Sequence, residues 1–226
     1  MTMPLVKANQ AGDQATAKIA RKINDRLSFI DSQGNESQQF TVSRHDDRIL
    51  TIAFDNEGCG AYCENYSTWY NFDQKDGSLL TAANLFTPKG MRALATRLRQ
   101  EQISRYRKQL TELAKSLKAA QTKPTGRAAK TSQTKVDVIS DLEARIALNE
   151  DCLDKQIART KEPASRQVPT VFDYPGYIPF ELAEKAFKLN AARCSNHASH
   201  ALDDVYDVVL SLPYPELAPW LTAYGK

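Results

Sequence analysis

The spacing of apolar residues changes character three times along this chain. Ala17, Ile19, Ala20, Ile23, Leu27 and Ile30 recur at near-helical intervals behind Asp13, which predicts an amphipathic helix over 13–30. The polar run SQGNESQQ, 32–39, reads as a loop. Two extended runs follow, 39–44 and 48–55, joined by a turn at HDD, and then STWYNFDQ as a further strand before a KDG turn. From residue 88 the period lengthens. Pro88 suits a first helical turn, and Met91, Leu94, Leu98, Ile103, Tyr106, Leu110, Leu113 and Leu117 follow, the last five three and four apart. The segment 122–135 breaks this pattern with Pro124, Gly126 and small polar residues. Ile139, Leu142, Ile146, Leu153 and Ile157 then resume it at seven-residue spacing.

Two helices of similar length, about 89–120 and 136–160, around a polar tip predict an antiparallel hairpin. Its seam should set Leu110, Leu113 and Leu117 against Ile139, Leu142 and Ile146. The tail alternates again: KAFKLNAARC and VYDVVLSLPY read as strands, SNHASHALDD as a loop, and PELAPWLTAYGK as a short helix or turn. Grouped strands and grouped helices favour an α+β fold, an antiparallel sheet with packed helices plus the long hairpin. The chain reads as one domain, 1–226, with 1–87 and 161–226 as the α+β body and 88–160 as an elaboration.

Length and composition are ordinary for a globular protein: 226 residues, 42% hydrophobic and 25% charged. No apolar run reaches the ~20 residues that cross a bilayer. The net charge of +3 is uneven. Residues 88–135 hold thirteen Lys or Arg against two Glu, a local +11, whereas 1–87 come to −3 and 136–226 to −5. Charge runs on helices mostly mark a solvated face. This one also permits binding of an anionic envelope polymer, or of nucleic acid, although no nucleic-acid motif accompanies it.

Cys59, Cys63, Cys152 and Cys194 admit three chemistries. Zinc on Cys59, Cys63, Cys194 and His197 would be a permissible set, but the first spacing is wide for a knuckle and Cys152 would be idle. A nucleophilic Cys194 or Cys63, with His197, His200 or His45 as base and Asp203 or Asp204 as orienter, matches no local hydrolase signature. Two disulfides are the favoured reading. Four cysteines allow three connectivities; Cys59–Cys63 with Cys152–Cys194 fits best, since Gly58 and Gly60 permit the tight bend. Disulfides require an oxidising compartment, so the chain is expected to be periplasmic or otherwise extracytoplasmic. The start, MTMPLVKANQAGDQ, has no export signal, which is expected to have been removed.

The run ILTIAFDNEGCGAYCENYSTWYNFDQKDGSLLTAANLF resembles the extracytoplasmic domain of lysozyme-sensing anti-sigma factors and the accessory domain of certain peptidoglycan deacetylases. Gly58, Gly60, Ala61 and Tyr62 sit where that family has a Gly-Gly-Ala-His-like loop. Asn71, Phe72, Asp73 and Gly77 match its next strand and turn, and Leu85 and Phe86 its step into a helix. AKIARKINDRL looks like its Ile-Asn helix, and VVLSLPYPELAPWLTAYG like its closing strand and turn. The likeness touches roughly 15–95 and 180–225. Tyr62 replaces the histidine, the cysteines are additions, and the basic hairpin is larger than the family's connection. The resemblance implies a non-enzymatic α+β binding domain near the cell wall.

The expected function is therefore that of an exported inhibitor or immunity protein. Its partner would be a protein, a peptidoglycan hydrolase such as a lysozyme-like enzyme or a secreted effector, with no cofactor, metal or catalytic residue involved. Tyr62, Glu64, Tyr66 and Trp69 are the candidate contacts, because aromatics on a stapled loop make common anchors. Several of the residues singled out have a plainer reading. Trp69, Tyr70 and Phe72 suit sheet packing, Asn71 and Asp73 suit turn formation, and His197 and His200 suit loop hydrogen bonds.

Overall fold

A computed structural model describes residues 4–7, 14–31, 37–59, 63–122, 129–163, 166, 179–191, 193–203, 205 and 208–225. It is α+β, as the grouping of strands and helices predicted. The elements in order are α1 (Gln14–Asp31), β1 (Ser37–His45), β2 (Ile49–Cys59), β3 (Cys63–Asp73), α2 (Ala82–Leu85), α3 (Pro88–Thr122), α4 (Ala129–Thr160), β4 (Phe180–Leu182), β5 (Ala186–Ala191), a 3-10 turn (His197–Leu202), β6 (Val208–Pro213) and α5 (Tyr214–Leu217). Instead of one sheet, the described residues form two, of three strands each, in the orders β1–β2–β3 and β4–β5–β6. The chain forms two compact units, one from Met1–Ala93, Val168–Leu189 and Ser211–Lys226, the other from Leu94–Gln167 and Asn190–Leu210.

In the first unit, α1 lays Ile23 and Leu27 on Leu50, Ile52, Phe54, Tyr70 and Phe72 of β2 and β3. The alternation of these strands dictates that face, since every second side chain points the same way. Phe40, Phe54 and Tyr70 form a row of rings across all three strands, with centroids 6.3 and 5.7 Å apart. β1 starts at Ser37, inside the expected polar loop. Gln38 is buried there and donates to Asn56 at 2.6 Å, so pairing with β2 outweighs local polarity.

The opposite face of β2–β3 carries β4. Asn71 belongs to β3 and is fully buried, which corrects its assignment as a turn former. Its amide donates to the Phe180 carbonyl at 3.1 Å and accepts from Leu182 N at 3.0 Å, while Thr51 Oγ1 donates to the Leu182 carbonyl, also at 3.0 Å. Side chains thus supply β4 with hydrogen bonds that a strand would otherwise take from a neighbouring backbone. Asp73 does make a turn: its carboxylate accepts from Lys75 N at 2.7 Å and its carbonyl from Gly77 N at 2.8 Å. Gly77 has φ +69°, and a Cβ there would come within 3.0 Å of the Ile19 carbonyl.

The second unit contains the helical hairpin. Lys135 Nζ donates to the Gln121 carbonyl at 3.0 Å, and Arg99 Nη1 to Gln156 Oε1 at 3.2 Å. One bond lies near each end, so the helices run antiparallel as the seam predicted, and Leu110 comes level with Ile146 and Leu117 with Ile139. Leu113 is buried, whereas Leu110, Leu117, Ile139, Leu142 and Ile146 are half-buried. Val136 and Val138 are exposed. Toward the base the packing turns polar, with Arg99, Gln102, Asn149 and Gln156 all buried. The expected tip residues Pro124 and Gly126 lie outside the described residues.

Candidate functional site

β2 and β3 pair without interruption from Ile49↔Asp73 to Cys59↔Cys63. The inner half of this hairpin is gripped by α1 on one face and β4 on the other. In its outer half, from Asp55 and Ser67 onward, Asp55, Cys63, Asn65 and Tyr66 are exposed, Glu57, Gly58 and Ser67 half-buried and Asn56 buried, next to the buried Thr68. Gln38 donates to Asn56, and Asn56 Nδ2 to Thr68 Oγ1 at 3.3 Å, which ties three strands together. On the other face Ser67 Oγ donates to Asp55 Oδ1 at 2.7 Å and Ser37 Oγ to Glu57 Oε2 at 3.1 Å. Cross-strand bonds of this kind stiffen a hairpin before any partner arrives.

Tyr66 is 38% exposed, and its ring lies over Gly58, where an added Cβ would stand 3.4 Å from Tyr66 Cε1. Trp69 is half-buried and pairs with Ala53. Tyr66 and Trp69 are three positions apart in one strand, so they face opposite ways. The four expected contacts do not make a single surface. The Trp69 face also carries Asp55, Glu57 and Ser67, which the sequence reading did not single out; their place follows from strand parity once the β2–β3 register is known. Glu64 pairs with Gly58. Tyr62 and the side chains of Glu64 and Cys59 lie outside the described residues.

Cys63 is disulfide-bonded, and the register sets Cys59 opposite it. Cys152 and Cys194 are disulfide-bonded with Cα atoms 5.5 Å apart. The Cys194 sulfur is therefore unavailable to zinc or as a nucleophile while that bond is intact. Beside it, the Asp203 carboxylate accepts from Ser195 N at 3.3 Å and Val205 N at 3.0 Å, and from the Tyr106 hydroxyl at 3.5 Å. Burial, and then the Asp203 charge, push the Tyr106 hydroxyl well above the usual tyrosine range. It stays protonated and acts as a clasp rather than a base. The His197 side chain lies outside the described residues.

The basic stretch of α3 is partly self-neutralised. Arg105 pairs with Glu101 at 2.8 Å and Lys115 with Glu112 at 3.0 Å, whereas Arg107, Lys108 and Lys118 are exposed.

A second polar cluster fastens the C-terminus to the β1–β2 turn. The Arg48 guanidinium lies 4.9 Å from the centre of the Tyr224 ring and donates to the Tyr224 carbonyl, and the Tyr224 hydroxyl donates to Asp73. Burial, followed by that bond and the Asp73 charge, raises the Tyr224 hydroxyl to about 12. Arg44 repeats the arrangement on Tyr214, 5.4 Å from its ring centre, and Tyr214 donates to the Ala183 carbonyl at 2.5 Å.

No family model and no curated protein matches this chain. A solved structure similar to it is a DUF3298 family protein from Pseudomonas aeruginosa PAO1, at 14% identity and a TM-score of 0.38, covering 89% of this chain and 69% of that one. That likeness is distant.

Proposed function

We propose that this chain is an exported binding protein, an inhibitor or immunity protein that recognises a cell-wall-degrading enzyme such as a lysozyme-like hydrolase. The observation that carries this reading is the cross-braced end of the β2–β3 hairpin. It offers the exposed Tyr66 on one face and the half-buried Trp69 on the other, and a rigid loop loses little entropy on binding. The likeness of residues 49–86 to the lysozyme-sensing domains supplies the class of partner. Asp55 and Glu57 beside Trp69 favour a basic surface on that partner, with association that slows as salt rises. The disulfides support an oxidising, extracytoplasmic location.

The test is capture from an envelope extract on the immobilised, oxidised chain, together with inhibition assays against lysozyme-like hydrolases. Recovery of a hydrolase, inhibition, and at least a tenfold weaker complex with Tyr66→Ala or Trp69→Ala are expected. Whichever substitution weakens the complex identifies the contacting face. No hydrolase recovered and no inhibition would sink the reading.

A further inference from the structure

β1 is the outer strand of its sheet, paired only with β2 among the described residues. Such an edge presents unpaired backbone donors and acceptors, and proteins usually guard it with charge, proline or distortion. Here the guard covers only one end. The register shifts between Val42 and Arg44, but Ser37–Ser43 contains no charged residue and no proline. Two apolar side chains stand exposed nearby, Val42 at 51% and Leu5 at 68%, and both line a cleft of about 360 Å³ beside β1 with Phe40, Ile19 and Ile52.

The row Tyr70–Phe54–Phe40 stops at this edge, with Phe40 only half-buried as its last ring. We infer that β1 is a docking edge for a second copy of this chain, joined antiparallel about a two-fold axis at Phe40 to give a continuous six-stranded sheet. Antiparallel self-pairing is compatible with the two-fold symmetry that most homodimers adopt. In this register Phe40 meets Phe40 of the partner subunit and prolongs the aromatic row. Gln38 meets Val42 of the partner subunit, and Gln39 meets Thr41 of the partner subunit. Because the segment is uncharged, the copies approach without like charges opposed. This edge is separate from the end of the β2–β3 hairpin and does not depend on the role proposed for it.

The experiment is light scattering on the eluting protein at about 1–300 μM, a range that brackets a micromolar Kd. The wild-type chain should shift from monomer toward dimer mass. Gln39 and Thr41 are exposed, so charges placed there test the register without disturbing the core. Q39E with T41E opposes like charges twice and should give monomer at every concentration. Q39E with T41K opposes unlike charges twice and should restore the dimer. A wild-type chain that stays monomeric overturns the inference, as does a dimer indifferent to Q39E with T41E. Loss of the dimer in both variants overturns the Phe40-centred register.

Discussion

Single residues settle most of what holds the first unit together. Asn71 uses both ends of its amide on β4, so Asn71→Ala would leave Leu182 N and the Phe180 carbonyl buried without partners. A loss of about 2–4 kcal/mol is expected by urea unfolding, against about 1 kcal/mol for Thr51→Val. Tyr224 makes a pH-dependent contribution whose sign is fixed by its neighbours. Its folded value of about 12 lies above the ordinary 10, so the fold favours the neutral hydroxyl. That stabilisation is complete below pH 10 and is lost as pH rises through 12. Tyr224→Phe should lower stability at neutral pH, where the bond to Asp73 is missing, and should make the fall between pH 10 and 12 shallower. Tyr70, Tyr106 and Tyr214 are raised in the same direction, so a residual slope remains. Unfolding curves at pH 8, 10 and 11 test this; an unchanged slope would contradict it. The clasp made by Asn71 was invisible in the sequence, where it read as a turn former like Asp73, which does make a turn. Strand and turn use the same amide chemistry, and only the position of β4 tells them apart.

Among the elements, the helical hairpin and the segment after it depend on the Cys152–Cys194 bridge. It closes a separation of 42 residues, which is worth about 4 kcal/mol in the chain-entropy model. Cys152→Ser with Cys194→Ser should therefore lower the melting temperature markedly. Cys59→Ser with Cys63→Ser removes a bridge that closes a far shorter loop and should leave the melting temperature nearly unchanged while weakening partner binding. Calorimetry of the two paired variants distinguishes them, and equal losses would count against the difference in loop length as the cause. The helix periods were legible because amphipathic spacing repeats over many turns. The buried polar layer of Arg99, Gln102, Asn149 and Gln156 was not, since these residue types occupy solvated helix faces just as readily.

For the whole molecule the decisive quantity is the oxidation state of the cysteines. Protein recovered from an oxidising compartment should show no thiol reactive toward an alkylating agent after denaturation. Non-reducing peptide mapping should recover Cys152 joined to Cys194. Four reactive thiols would remove the support for export and, with it, much of the case for an envelope partner. Reduction should also destabilise the unit containing Asn190–Leu210, where Asp203 and Tyr106 clasp the segment that the bridge anchors.

The sequence by itself determined the α+β class, the helix of the first thirty residues, the two long antiparallel helices, and the strands at 48–55 and from Ser67, though not that their pairing runs on to Cys59 and Cys63. Each rests on a repeated period or a turn signature, and such patterns survive without knowledge of distant contacts. It also named Tyr66 and Trp69, because aromatics near a cysteine-bounded turn stand out. Only the tertiary structure decided that these two face opposite ways, that Asp55 and Glu57 share the Trp69 face, and that the strands divide into two sheets. It alone placed Asn71 as the clasp between β3 and β4 and, among the described residues, left β1 at the edge of its sheet. Those features depend on which strands become neighbours, and neighbours far apart in sequence leave no mark on the local pattern of either.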